Sequence, residues 1–201
     1  MTDARRKVLS RREFVQLGAV TASALAASAA LQFFKPVGRE VGMTPVIAGV
    51  LADQEAPIGG ARDGDPTIVI YTDYRCPACR LSNNALQMVL SSDRGVRVMF
   101  KDWPVFGQES QQAARWAIAS DEQGIYPQVH DLLMRSRGRL DADTVRSAVQ
   151  QAGGDWARLE ETLRTRAPSI DQMLARHSME AFSLGLRGTP GFLVGTLLAA
   201  R

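Results

Sequence analysis

The chain has 201 residues, of which 45% are hydrophobic and 22% charged, with 24 Lys/Arg against 21 Asp/Glu. The basic excess sits at the front: the first 34 residues carry five Lys/Arg and two Asp/Glu, which leaves 19 of each in the remainder. A neutral body has no basic patch that calls for nucleic acid, and its length suffices for one core-forming domain with an insertion.

At the N-terminus, Ser10-Arg11-Arg12-Glu13-Phe14 precedes a charge-free, alanine-rich stretch from Phe14 to Phe34. This resembles a twin-arginine export signal, with Val15-Gln16 where that pattern continues Leu-Lys. Residues 1–34 are therefore read as an export signal. It is cleaved near Ala24-Leu25-Ala26 or Ala27-Ser28-Ala29, or else retained as an anchor, since 21 uncharged residues can span a bilayer. Export places the body in the periplasm or on the extracytoplasmic face of a bacterial membrane, where disulfides form and persist. The plainer alternative is a basic tail followed by an ordinary apolar helix.

Residues 35–64 read as a connector punctuated by Pro36, Pro45, Pro57 and Gly59-Gly60, with Val46–Leu51 as a short ordered piece. The run Thr67-Ile68-Val69-Ile70-Tyr71 predicts a buried strand. A helix is predicted from Pro77 to about Ser91, with Leu81, Ala85, Met88 and Val89 on one apolar face. Ser91–Gly95 reads as a turn, Val96–Phe100 as a second strand, and Lys101-Asp102-Trp103-Pro104 follows it.

Cys76-Pro77-Ala78-Cys79, at the strand-to-helix junction, holds the only two cysteines of the chain. Pro77 suits a first helical turn, where its missing N–H costs nothing. A thiol at that position meets unpaired N–H groups and the positive end of the helix dipole, which stabilise its thiolate. The second cysteine lies one turn away, within disulfide reach. The pattern favours a reversible dithiol that needs no other cofactor. Half of a zinc site has the same spacing, but the chain has no other cysteine and only two histidines, His130 and His177, 47 residues apart, so no metal is assigned. A structural disulfide closing so short a loop would add little stability. Arg75 and Arg80 flank the pair and favour a thiolate unless they are merely solvated.

Downstream, helical spacing predicts five short helices: Gln111–Ser120, Gln128–Arg135, Asp143–Ala152, a segment capped by Asp155, and a last one opened by Ser169. His177 falls on the inward face of that last helix and reads as a packed histidine, whereas His130 reads as a surface or helix-end residue. Trp103, Trp116 and Trp156 read as core or cleft packing; Asp73 and Asp102 are candidates for assisting proton transfer near the thiols, but by default read as turn or surface residues and are not assigned to the site. Gly188-Thr189-Pro190-Gly191 then runs into the short apolar strand Phe192-Leu193-Val194, which taken alone is a Gly-Pro turn.

With both ends in view, the chain resembles the DsbA family of thiol:disulfide oxidoreductases. The strand Ile68–Thr72, Cys76-Pro77-Ala78-Cys79, Lys101-Asp102-Trp103-Pro104 and Gly188-Thr189-Pro190 occur in that family's order, over roughly residues 57–196. The resemblance implies an α/β, thioredoxin-like fold. Its first part would be residues 65–107, a helical insertion 108–185, and its second part 186–201. It implies Cys76 as nucleophile, Cys79 as resolving thiol, a cis Pro190 facing the pair, and Thr189 offering its backbone to an extended substrate. The implied partners are cysteine-containing exported proteins and a membrane redox protein, with the chain itself a monomer. An oxidase is favoured over a reductase, an isomerase or a metal carrier using the cysteine pair. With Pro77-Ala78 and no histidine between the cysteines, the expected oxidising power is below that of DsbA itself. The family's sheet continues after this strand with a hairpin partner and a closing helix, and the expectation here is that both are truncated.

Overall fold

The computed structural model describes residues 38–200, so the export signal read in residues 1–34 lies outside the described residues. Among the described residues, six strands form one sheet: β1 (Arg39–Glu40), β2 (Ile58–Gly60), β3 (Thr67–Thr72), β4 (Arg97–Asp102), β5 (Gly191–Val194) and β6 (Leu197–Ala200). Their order is β1-β6-β5-β3-β4-β2. β3 and β4 are parallel, and every other pairing is antiparallel. Six α-helices accompany them: α1 (Pro45–Leu51), α2 (Pro77–Ser92), α3 (Gln108–Ser120), α4 (Tyr126–Arg135), α5 (Ala142–Gln151) and α6 (Trp156–Ser183).

Strand alternation divides the core into two layers, because successive side chains point to opposite faces. Ile70, Val98 and Phe100 face a large cluster built with α2 to α6, including Leu86, Ala117, Val129, Val145 and Leu159. Val69, Tyr71, Met99 and Leu193 face a smaller cluster with Ile47 and Val50 of α1 and Ala181 near the end of α6. The parallel pair β3 and β4 is thus covered on both sides, as parallel strands require.

Four sequence expectations change. Within the stretch read as a connector, the short ordered piece expected at Val46–Leu51 is α1, capped by the Thr44 side chain, which accepts from the Ile47 N–H, whereas β2, which that reading does not contain, pairs with β4. Gly59 is needed in β2, since a Cβ there would lie 2.8 Å from the Phe100 ring. The truncated strand is present: β5 turns at Gly195-Thr196 directly into β6, pairing Val194 with Leu197. Gly195 has φ +57°, and glycine at the first central position of a two-residue hairpin meets that demand without steric cost. So tight a turn lets a four-residue strand fit where the sequence reading saw none. β6 covers the edge of β5, and β1 pairs in turn with β6 through Arg39↔Leu198 and Glu40↔Leu197.

The last two expected helices are one, α6, with Pro168 inside it. Proline removes one ladder hydrogen bond. Buried side chains on both flanks, Leu159 before it and Ile170, Leu174 and Ala181 after it, hold the helix continuous. Finally, α2 turns a different face inward. Leu81 and Met88 are each 66% exposed, while Cys79, Asn83 and Leu86 are buried. Apolar periodicity pointed to the wrong face because the inward one carries two polarisable or polar residues, Cys79 and Asn83, the latter donating to Asp131 Oδ1 at 2.8 Å.

Candidate active site

The end of β3 delivers the chain to α2 through Asp73, Tyr74 and Arg75. Asp73 fixes this turn. Its carboxylate accepts from the N–H groups of Arg75 (2.7 Å), Val105 (2.6 Å) and Phe106 (3.0 Å) and from Ser110 Oγ (2.6 Å). One buried acid therefore ties the turn before the cysteines to the loop after β4 and to the start of α3. The turn role expected for Asp73 is real, although the residue is buried rather than on the surface.

Cys76 is the N-cap of α2, with extended backbone (φ −74°, ψ 117°), and Pro77 opens the helix. Its Sγ accepts the Cys79 N–H at 3.4 Å, one of the donors a helix start leaves unpaired. The same Sγ lies 3.3 Å from the carbonyl oxygen of Thr189, to which the thiol donates. The Thr189–Pro190 peptide is cis. The structure thus brings together all four sequence-selected residues: Cys76, Cys79, Thr189 and Pro190. Both cysteines are free thiols, and both are buried.

The two sulfurs differ in environment. Burial pushes the Cys79 thiol up to about 12, against donors from Thr189, Asp73 and Thr72 that pull it down. Cys79 faces a small cavity of about 10 Å³ lined by Thr72, Asn83, His130 and Phe192 among others, room for about one water. Cys76, also buried, instead sits where the start of α2 meets the Thr189 carbonyl, next to the exposed Pro77. Arg80 is anchored over this first turn by its Nε, which donates to the Tyr74 carbonyl at 3.2 Å. Arg75 is exposed and lies 3.6 Å from Glu109.

Under the pair lies a buried polar chain that sequence reasoning missed. His130 is 2% exposed, not a surface residue. Its Nδ1 meets Tyr74 Oη at 3.0 Å, Tyr74 Oη meets Tyr126 Oη at 3.3 Å, and Tyr126 donates to Asp102 Oδ2 at 2.8 Å. Burial pushes Asp102 up to about 7 against those two tyrosine hydroxyls, and burial pushes His130 down to about 3. Asp102 is therefore neither a turn nor a surface residue. The i, i+4 spacing of Tyr126 and His130 on one helix was the available signal, but nothing in it names Asp102 as the third partner. His177 is packed, its Nδ1 3.2 Å from the Asp102 carbonyl oxygen.

Several comparisons bear on this geometry. Residues 67–198 match the DSBA-like thioredoxin domain. A thioredoxin-like oxidoreductase from Silicibacter pomeroyi DSS-3 superposes with a TM-score of 0.69 at 33% identity, covering 75% of this chain and 86% of that one. The thiol-disulfide exchange protein alpha-DsbA2 from Wolbachia pipientis shares the fold, with a TM-score of 0.70 at 22% identity over 77% of this chain and 85% of that one. The Na(+)/H(+) antiporter NhaA 3 of Salinispora tropica is 30% identical over 163 residues, 79% of this chain. The chain spans only 21% and 24% of the two curated antiporter relatives it matches. The chain belongs to the DSBA-like thioredoxin family.

Proposed function

We propose that this chain exchanges disulfides with cysteines of exported or envelope proteins, acting as an oxidase through Cys76 and Cys79. The observation that carries the reading is the asymmetry of the pair: Cys76 caps a helix beside Thr189, while burial holds Cys79 as a thiol. In the oxidised protein a substrate thiolate attacks Cys76 Sγ. The Cys76–Cys79 bond breaks, and Cys79 leaves with the electron pair and takes up a proton. A second substrate thiolate then attacks the substrate sulfur of the mixed disulfide and releases Cys76 as thiolate. Two electrons have passed from substrate to protein, and the substrate has gained one disulfide.

Each part of the site has a role in this sequence. The Cys79 N–H and the start of α2 stabilise the departing Cys76 thiolate, and Arg80 adds a positive charge to the same turn. Thr189 presents backbone to an extended substrate segment, aligning its cysteine with Cys76. The reduced pair would be reoxidised by a membrane redox protein. Export rests on Ser10-Arg11-Arg12-Glu13-Phe14 and the uncharged stretch behind it, and puts the exchange in the periplasm or on the outer face of the membrane.

The test is oxidative folding. The oxidised full chain is added to a reduced, unfolded multi-cysteine protein, with glutathione disulfide as terminal oxidant. Turnover above the glutathione background, lost in Cys76→Ser, is the expected result. Folding no faster than with glutathione alone would refute the oxidase reading.

A further inference from the structure

A groove of about 570 Å³ opens beside the nucleophile's helix. Pro77, Arg80 and Leu81 of α2 form one wall, and Met134, Arg135 and Arg137, at and beyond the end of α4, form the other. It begins at the residue that follows Cys76 in the chain. The apolar part is the exposed Leu81 side chain, 66% accessible, set against the buried Met134.

The charged part is one-sided. Three arginines line the groove and no carboxylate does. Arg135 is compensated by Asp131, 2.8 Å away. Arg80 spends its Nε on a neutral carbonyl, which leaves its charge unbalanced. Arg137 is exposed and has no hydrogen bond or ion pair among the described residues. The body as a whole carries 19 basic and 19 acidic residues, so this local excess is not a general property of the surface. Two uncompensated guanidiniums beside an exposed leucine suit an acidic segment carrying an apolar residue.

We propose that this groove selects substrates in which Asp or Glu residues flank the reactive cysteine, with Arg80 and Arg137 pairing their carboxylates and Leu81 receiving an apolar side chain. The proposal rests on Cys76 being the exchanging sulfur and adds the substrate class. Arg137 is placed to read charge without touching the sulfurs, since it sits on the far wall, beyond α4.

The test uses the oxidised full chain and three dithiol peptides that differ only at the positions flanking one cysteine: glutamate, glutamine or lysine. At low salt the glutamate peptide is expected to be oxidised about tenfold faster than the lysine peptide, and the gap should shrink as salt screens it. Arg137→Glu should reduce the ratio to below about twofold while leaving the redox equilibrium of the cysteine pair in place, and Arg137→Lys should keep the preference. Equal rates for the three peptides, or an Arg137→Glu variant with an unchanged ratio, would overturn the groove proposal alone. Failure to oxidise any of the three would overturn the exchange reading, and the groove proposal with it.

Discussion

The Sγ of Cys76 lies 3.3 Å from the carbonyl oxygen of Thr189, although 113 positions separate the two residues in the chain. The contact joins the start of α2 to the segment entering β5, and both segments lean on β3: one leaves its end, the other pairs alongside it through Tyr71↔Gly191. Cys76 fixed in this way caps the N-terminal end of α2, whereas burial raises the neighbouring Cys79 thiol to about 12. Both thiols are buried, and what differs between them is the helix-cap contact at Cys76.

The two single-cysteine variants should therefore behave differently. Cys79→Ala is expected to accumulate a long-lived mixed disulfide with a substrate peptide, because the thiol that resolves it is gone. Cys76→Ala should form far less, since burial holds the remaining thiol protonated. Intact-mass measurement after mixing with a disulfide peptide reads both outcomes.

The raised Cys79 thiol predicts a redox-dependent alkaline loss of stability. Its folded value of about 12 lies above its ordinary value of 9.0, so the reduced folded state holds a proton that the unfolded chain gives up. That contribution is fully present below pH 9 and is lost as pH rises toward 12. Urea unfolding of the reduced protein should weaken across this window more steeply than that of the oxidised protein, in which Cys79 has no proton to lose.

Asp102 works in the same sense at lower pH. Burial raises its carboxyl to about 7 from 3.8, so the folded state favours the protonated form. The stabilisation is present below pH 4 and is lost as pH rises to 7, an upper bound of about 4 kcal/mol. In Asp102→Asn this slope should disappear. Parallel denaturation curves of the variant and the parent protein at pH 4 and pH 7 measure it.

On the opposite face of the sheet, Lys101 is fully buried and pairs with Asp53 and, at 3.0 Å, with Glu180. Burial pushes the Asp53 carboxyl up, but Lys101, the Glu55 N–H and Arg176 outweigh it and hold the group below its usual range. Lys101→Met would leave Asp53 and Glu180 only the partly exposed Arg176 as a counter-charge and is expected to cost up to about 3 kcal/mol at pH 7. Because a depressed carboxylate stabilises above its unfolded value and loses that stabilisation as pH falls, the gap between variant and parent should narrow below pH 4.

What could be read in advance follows the range of the physics. The strand, the junction and the start of α2 depend on neighbours in sequence, and Thr67–Tyr71, Cys76 and Pro77 announce them. The face of α2 depends on what packs across it: Leu81 and Met88 look like core, yet Cys79 and Asn83 go inward because their partners, the cavity and Asp131, come from elsewhere in the chain. Ser169 reads as the start of a separate helix, but packing on both flanks of Pro168 holds α6 together. β6 escaped notice because Leu197–Ala200 is short and follows its partner after only two residues. The chain from His130 through Tyr74 and Tyr126 to Asp102 joins three separate elements and is visible only in the fold.

The most direct test is the redox equilibrium of Cys76 and Cys79 against glutathione, followed by mass after thiol trapping of the full chain. An oxidase whose reduced pair is stabilised at the start of α2 should show a potential above ~−200 mV. A value near ~−270 mV would contradict that account and make the protein a reductant that draws electrons from a separate donor.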